Sequence, residues 1–490
     1  MIAPMLLAAA LATSPATADR YALVTLESGT IVGVNWIERR PDSLHSRSVL
    51  TQSSVIDTRI VRNADGSAVR ASTLLQMAGA DPRAPIERAA PRGTIFWSDM
   101  SPVSIEEAVL RARTLGGDDV KVAATSLFRD SRDEISVTQL DSTDWVVTCH
   151  GKRYDVLTAA DGRMLSASLP EFGVVIERRP SFAPASYPLW PPNAAPPDSA
   201  YRAADVSIRA PAGHVLAGTL TRPKGRGPFP AVVLITGLSP SDRNGGQPPW
   251  MPLRDEADAL TRRGIAVLRV DDRGVAASTG DHASSTTLDE AADVHTEVGW
   301  LRAQTFIDGR RVGLVGYSEG GLIAPIVASE DPKIAAIVTL DGPAVSGPEV
   351  ARYQTEAAVV RDPSIAPADR EAAIRKLLAD TLTVREKSYL SLDPLPYMRG
   401  TRCPALIVHG ANDLHVPVRS AERMAWAMRG NGNRDVTVRL IPAVSHSLLY
   451  DPVGLSGGWV YLPGFLTAPE VLHSTSEWMA DRLRARRAEP

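Results

Sequence analysis

The sequence has 490 residues, 44% hydrophobic and 22% charged, with 53 Lys plus Arg against 56 Asp plus Glu. That length exceeds one ordinary domain, and that apolar share excludes a disordered or low-complexity chain. A net charge of -3 argues against a nucleic-acid binder, and two cysteines, Cys149 and Cys403, exclude a disulfide scaffold or a multi-cysteine zinc site while leaving one bridge open.

Met5 to Ala12 reads MLLAAALA, and Ala16-Thr17-Ala18 follows as an A-x-A cleavage site. The run is too short to span a bilayer, and no later segment approaches the roughly twenty apolar residues a spanning helix needs. No Lys or Arg precedes the run, and an ordinary buried N-terminal helix is the alternative. The pattern predicts a signal peptide over residues 1–18 and hence an exported, periplasmic or secreted protein with no integral membrane span.

Residues 19–180 predict a β-rich domain. Asp65-Gly66 and Asp161-Gly162 each sit between runs of β-type residues, and Asp-Gly supplies the positive φ that tight hairpins demand. One helix is predicted from about Ser104 to Thr114, with Ser104 and Glu107 as a capping box. His45 and His150 are isolated and read as surface or structural residues. Prolines crowd the stretch from Pro180 to Pro197, so residues 181–204 read as a semi-rigid linker.

From residue 205 onward strand and helix signals alternate. Val206–Arg209 and Val215–Thr221 form a strand pair around Pro211-Ala212-Gly213. Apolar runs at Ala231–Ile235, Ile265–Val270, Val312–Val315, Ile334–Leu340 and Ala405–Val408 predict buried parallel strands, and Val436–Ile441 is β-like. Thr287 to Glu290 reads as a capping box for a helix whose Ala291, Val294, Val298 and Leu301 share one face. Strand, helix, strand repetition means crossovers and a mainly parallel sheet, an α/β fold. Arg482, Arg484, Arg486 and Arg487 read as the solvated end of a last helix.

Gly316-Tyr317-Ser318-Glu319-Gly320 matches G-x-S-x-G between a buried strand and a helix-compatible stretch, as a nucleophile elbow requires. Serine needs a base to take its proton, and the base needs an orienting carboxylate. Asp413, just beyond the Ala405–Val408 strand, is the favoured acid and Asp341 the runner-up. His446, after the Val436–Ile441 run, is the favoured base, with His473 and His415 as rivals. The oxyanion donors fall on the backbone N–H groups of Glu319, next to the nucleophile, and Leu238, in the loop after Ala231–Ile235. Arg243, further along that loop, is a candidate substrate contact or half of a surface ion pair. Tyr317 is a second candidate contact.

With these motifs in order, residues Asp205 to Arg484 resemble the α/β-hydrolase superfamily. Gly237-Leu238-Ser239-Pro240-Ser241-Asp242-Arg243-Asn244 is similar to the G-S-G-P-x-D-R-D/N loop of bacterial esterase-like members. Asp271-Asp272-Arg273-Gly274 with Ser278-Thr279-Gly280 is similar to their D-x-R-G-x-G-x-S-x-G turn, and Tyr317-Ser318-Glu319-Gly320-Gly321 to their H-S-E-G-G elbow. Leu238 replaces a small residue, Tyr317 a histidine, and Ala276 and Ala277 glycines. The resemblance implies that the insertion from about 343 to 397, with helix-like stretches Glu349–Val360 and Pro367–Leu378, caps the site; packing or dimerisation is its alternative role.

The residues predict a serine hydrolase of small-molecule carboxylic esters, acting through an acyl-enzyme without metal or organic cofactor. A peptidase or acyltransferase on the same fold is the alternative. Prolyl-oligopeptidase-like and dienelactone-hydrolase-like enzymes resemble the catalytic half, but residues 19–180 are short for a multi-blade propeller and show no repeat. A non-catalytic binding protein on this scaffold is the remote alternative. A homodimer is compatible with the sequence.

Overall fold

The computed structural model describes residues 18–80, 84–362, 365–379, 382–452, 454 and 462–484. The predicted leader lies outside them apart from its last residue. The chain divides into two units, residues 1–50 with 54–187 and residues 51–53 with 188–490. Residues 181–204 hold a short 3-10 turn, Pro184–Ser186, and the first residues of strand Tyr201–Arg209, so the second unit's sheet begins inside the stretch read as linker.

The first unit is one sheet of thirteen strands. Its first six strands lie in reverse chain order beside the last seven, so the first, Asp19–Glu27, pairs with the thirteenth, Val174–Arg179. Pairing is antiparallel throughout except where Ile95–Trp97 runs parallel to Asp119–Ser126. A parallel pair needs a crossover, and helix Val103–Leu115 supplies it. Asp65-Gly66 and Asp161-Gly162 stand at hairpin turns, their glycines at φ +78° and +86°.

The capping box predicted for that helix does not form. Pro102 is the N-cap. The Ser104 hydroxyl instead accepts the Ser98 N–H at 3.1 Å, and Glu107 pairs with Arg39 at 2.6 Å and Arg62 at 2.5 Å. Tertiary partners took both side chains. Glu106, fully buried, accepts from Tyr21, from Arg39, from the Met164 N–H at 3.0 Å and from Arg178 at 3.2 Å.

The second unit carries the α/β-hydrolase fold. Its eight strands are Tyr201–Arg209, Val215–Pro223, Phe229–Ile235, Ala266–Val270, Ile307–Tyr317, Ile337–Leu340, Ala405–Gly410 and Val436–Ile441. They lie in the order first, second, fourth, third, then fifth to eighth, parallel from the third and fourth onward. The apolar runs are continuous because both faces are covered. Side chains alternate across a strand, so Ala231, Val233 and Ile235 enter one core while Val232 and Leu234 enter the other. Helices Thr287–Arg302, Gly320–Glu330 and Arg419–Gly430 contribute to the first core, and Pro252–Arg262 and Pro469–Arg482 to the second.

The Thr287–Glu290 box is shifted by one residue. Thr286 is the N-cap and Asp289 its partner, each side chain bonded to the other's backbone N–H. The insertion after the sixth strand holds helices Gly347–Arg361, Arg370–Leu378, Val384–Ser391 and Leu395–Gly400; the last two were not predicted. Among the described residues, no helix is long and apolar enough to cross a membrane.

Candidate active site

Ser318 sits where the fifth strand gives way to helix Gly320–Glu330, with a left-handed φ of +56°. Such a backbone costs a non-glycine residue about 1–3 kcal/mol and persists only where its surroundings impose it. Here the Ser318 N–H donates to the Leu340 carbonyl at 2.8 Å, and its carbonyl accepts the Gly321 N–H at 2.9 Å. The turn is too tight for side chains on either side. A Cβ on Gly316 would lie 1.9 Å from the Gly320 oxygen, and one on Gly320 2.5 Å from the Ile235 oxygen.

The structure joins Ser318, His446 and Asp413 in one chain of hydrogen bonds. The Ser318 hydroxyl donates to His446 Nε2 at 3.0 Å, and His446 Nδ1–H donates to Asp413 Oδ2 at 2.8 Å. Asp413 Oδ1 accepts the N–H groups of His415 and Val416 at 2.7 and 2.8 Å, which fixes the carboxylate. Burial alone would raise the Asp413 pKa, but the charges and hydrogen bonds of His446 and His409 outweigh it and hold the carboxyl well below its ordinary range. Burial likewise opposes a charge on His446, yet Asp413 prevails and draws the imidazole pKa upward.

The two N–H groups expected to serve as oxyanion donors lie beside this array. A Cβ on Gly237 would stand 3.1 Å from Ser318 Cβ, so the Leu238 loop passes directly by the nucleophile. Among the described residues, the N–H groups of Leu238 and Glu319 have no hydrogen-bond acceptor of their own. Both are free to meet a developing negative charge.

Tyr317 and Arg243 are not placed as substrate contacts. Tyr317 is 7% exposed; its hydroxyl donates to the His446 carbonyl at 2.9 Å, and its ring centroid lies 5.4 Å from the imidazole. It buttresses the base. Arg243 is 6% exposed and grips Asp271 through Nε at 2.8 Å and Nη2 at 2.7 Å, with Thr219 Oγ1 accepting from Nη1 at 2.9 Å. It ties the oxyanion loop to the end of the fourth strand, and it is not a surface pair either. Of the rival bases, His473 pairs with Glu477 at 2.8 Å on the last helix, and His415 stacks on His446 with ring centroids 4.8 Å apart.

Three features escaped the sequence reading. His409, in the seventh strand, lies 3.3 Å from Asp413 Oδ2; burial opposes its charge, but Asp413 and Asp341 raise it to about 9. Tyr353, on cap helix Gly347–Arg361, donates to the Asp413 carbonyl at 2.7 Å. The Glu319 side chain, considered only for its N–H, is buried; it pairs with Arg385 of cap helix Val384–Ser391 and accepts the Thr287 hydroxyl at 2.7 Å. Burial pushes Glu319 up to about 7 despite that arginine. The Tyr353 and Glu319 pairings close over dozens of residues and leave no local pattern, while His409 lies four residues before Asp413.

A cleft of about 520 Å³ opens beside His446, lined by Gln354, Ala357 and Arg361 of the first cap helix and by Leu414 and Ser447. Asp341, Asp413 and His446 each place a polar atom within 4.8 Å of the others. Asp413 and His446 are already bonded to each other, so the array is a proton network and not a cation cage.

Two family models match parts of the second unit: X-Pro dipeptidyl-peptidase (S15 family) over residues 212–365, and BAAT / acyl-CoA thioester hydrolase C terminal over residues 295–452. Esterase EstD of Thermotoga maritima is 26% identical over 276 residues, 54% of this chain and 65% of that protein. Polyketide transferase ATR5 of Stachybotrys chlorohalonatus is 30% identical over 135 residues, 27% of this chain and 42% of that one. The chain thus spans less than two thirds of these relatives' lengths. Among solved structures, a Pyrococcus furiosus esterase aligns at 19% identity and a TM-score of 0.43, covering 60% of this chain and 95% of that one. Est1E of Butyrivibrio proteoclasticus aligns at 20% and 0.41, covering 57% and 99%. Strand order and the Ser318 elbow give the second unit the α/β-hydrolase fold, and the chain's sequence is similar to that of EstD over 276 residues.

Proposed function

We propose that the second unit hydrolyses carboxylic esters through an acyl-enzyme on Ser318. The observation that carries this reading is the unbroken line of hydrogen bonds from Ser318 through His446 to Asp413, at 3.0 and 2.8 Å. Ser318 Oγ attacks the ester carbonyl as its proton passes to His446 Nε2. Asp413 holds the imidazole in the tautomer with Nδ1 protonated and stabilises the imidazolium that forms. The N–H groups of Leu238 and Glu319 receive the oxyanion. Collapse expels the alcohol, protonated by His446, and a water activated by the same imidazole then releases the acid.

The experiment is fluorophosphonate labelling of the folded protein beside Ser318→Ala, followed by p-nitrophenyl esters of graded chain length and by aminoacyl and prolyl amides. Labelling of the wild type alone, with ester turnover, is expected; a folded wild type that does not label overturns the reading. The partial match to a peptidase model motivates a second reading, amide cleavage, and faster turnover of prolyl amides than of esters would favour it. The A-x-A site at Ala16-Thr17-Ala18 supports export of the chain, and N-terminal sequencing of the cell-envelope fraction tests it.

A further inference from the structure

Asp341 follows the sixth strand, Ile337–Leu340, with a fully buried side chain and a left-handed φ of +52°. Its Oδ1 accepts the Gly410 N–H at 2.7 Å. Its Oδ2 is buried with no hydrogen-bond partner among the described residues. Strain and an orphaned polar atom at one residue are both costly, and such costs concentrate where function over-determines the structure. The orphan belongs to a carboxyl group within 4.8 Å of Asp413 and His446.

Two carboxylates so close, away from water, do not both ionise. Asp413 accepts from two backbone N–H groups and from His446, with His409 Nε2 at 3.3 Å, whereas Asp341 accepts from one N–H. The negative charge therefore belongs to Asp413, and Asp341 is the carboxyl group that stays protonated. We propose that Asp341 is a positioning residue of the Ser318–His446–Asp413 array: a second carboxyl group that is protonated while His446 is neutral, and that releases its proton to solvent as His446 becomes protonated, so that its carboxylate then supports the imidazolium. The inference rests on the hydrolase reading above.

Burial, and then repulsion by Asp413, push Asp341 up to about 7, so a modest added positive charge tips its ionisation. The charged and titratable groups facing it are Asp413, His409, His446 and Tyr317. Of these, His446 changes charge during the proposed reaction. An ionised Asp341 favours the imidazolium, and Asp341 indeed acts to raise the pKa of His446.

The test is the pH dependence of kcat/KM for a short-chain p-nitrophenyl ester in wild type, Asp341→Asn, Asp413→Asn and the double variant. Removing an ionisable Asp341 lowers the apparent pKa of His446, so the acid limb of Asp341→Asn moves to lower pH by about half a unit or more. Asp413→Asn keeps about tenfold more activity than the double variant, because Asp341 then serves as the remaining carboxylate. Superimposable profiles together with a double variant equal to Asp413→Asn overturn the proposal. Fluorophosphonate labelling separates the two failures: an unlabelled wild type defeats the hydrolase reading, and a labelled one with superimposable profiles defeats this inference alone. Should Asp341→Asn not fold, Asp341→Ser, equally unable to ionise, gives the same readout.

Discussion

In the proposed reaction His446 must be neutral to accept a proton from Ser318, so its pKa would set the lower pH limit of turnover. Burial disfavours its charged form, but Asp413 outweighs burial and raises the pKa above the ordinary 6.5. A base with a raised pKa becomes protonated at higher pH, so activity fades as pH falls through a limb centred above 6.5. A pH profile of kcat/KM for any ester that is turned over checks this, and a limb centred below 6.5 contradicts it. At this scale the sequence was legible where the backbone leaves no freedom. Gly316 and Gly320 admit no Cβ, and that constraint makes the elbow readable as a motif. Arg243 was misread because its partner, Asp271, lies 28 residues away on another strand end, beyond any local pattern. Asp413 and Asp341 each follow a strand, and only the three-dimensional distances assign their different hydrogen bonds.

Between elements, the pairing of Arg385 with Glu319 joins cap helix Val384–Ser391 to the residue after the nucleophile. The Glu319 side chain is wholly buried and that of Arg385 is 5% exposed, so water does not screen the pair. Removing Arg385 takes the partner from a carboxyl whose pKa is already about 7, so Glu319 protonates and the loss is that of the hydrogen bonds, about 1–3 kcal/mol. Arg385→Met is expected to lose stability on that scale in urea unfolding, and to slow fluorophosphonate labelling by disturbing the Glu319 amide. A change under about 0.5 kcal/mol with unaltered labelling defeats the argument. Helix boundaries were the least legible elements, and for the same reason. Thr286 and Thr287 each stand three residues before an acid, so the sequence offers two boxes. The structure uses Thr286 because the Thr287 hydroxyl donates to Glu319.

Across the whole chain, two sheets account for most of the architecture, and they were legible to different depths. The eight-stranded sheet was readable strand by strand because burial on both faces leaves continuous apolar runs. The thirteen-stranded sheet was readable as β-rich with two hairpins, at Asp65-Gly66 and Asp161-Gly162; elsewhere its alternating strands fix which face is buried but not which strand lies beside which. The cysteines are resolved more simply, for Cys149 and Cys403 are both free. A native bridge would contribute about 2–4 kcal/mol. Thermal melts with and without reductant are therefore expected to coincide, and a drop of several degrees on reduction would contradict the free thiols.

The Glu106 carboxylate has a consequence for how the first unit forms in time. Its partners lie 85, 67, 58 and 72 residues away along the chain, Tyr21 and Arg39 before it and Met164 and Arg178 after it. Neither half of the meander can satisfy that buried carboxylate alone. Long loops must close before the reward arrives, and closures of that kind make folding slow. A nascent chain that has emerged only as far as the helix leaves Glu106 without Met164 or Arg178. The pairing of the first strand with the thirteenth thus waits for the last strands, whereas the antiparallel pairs among the first six strands join chain neighbours and can form as they emerge.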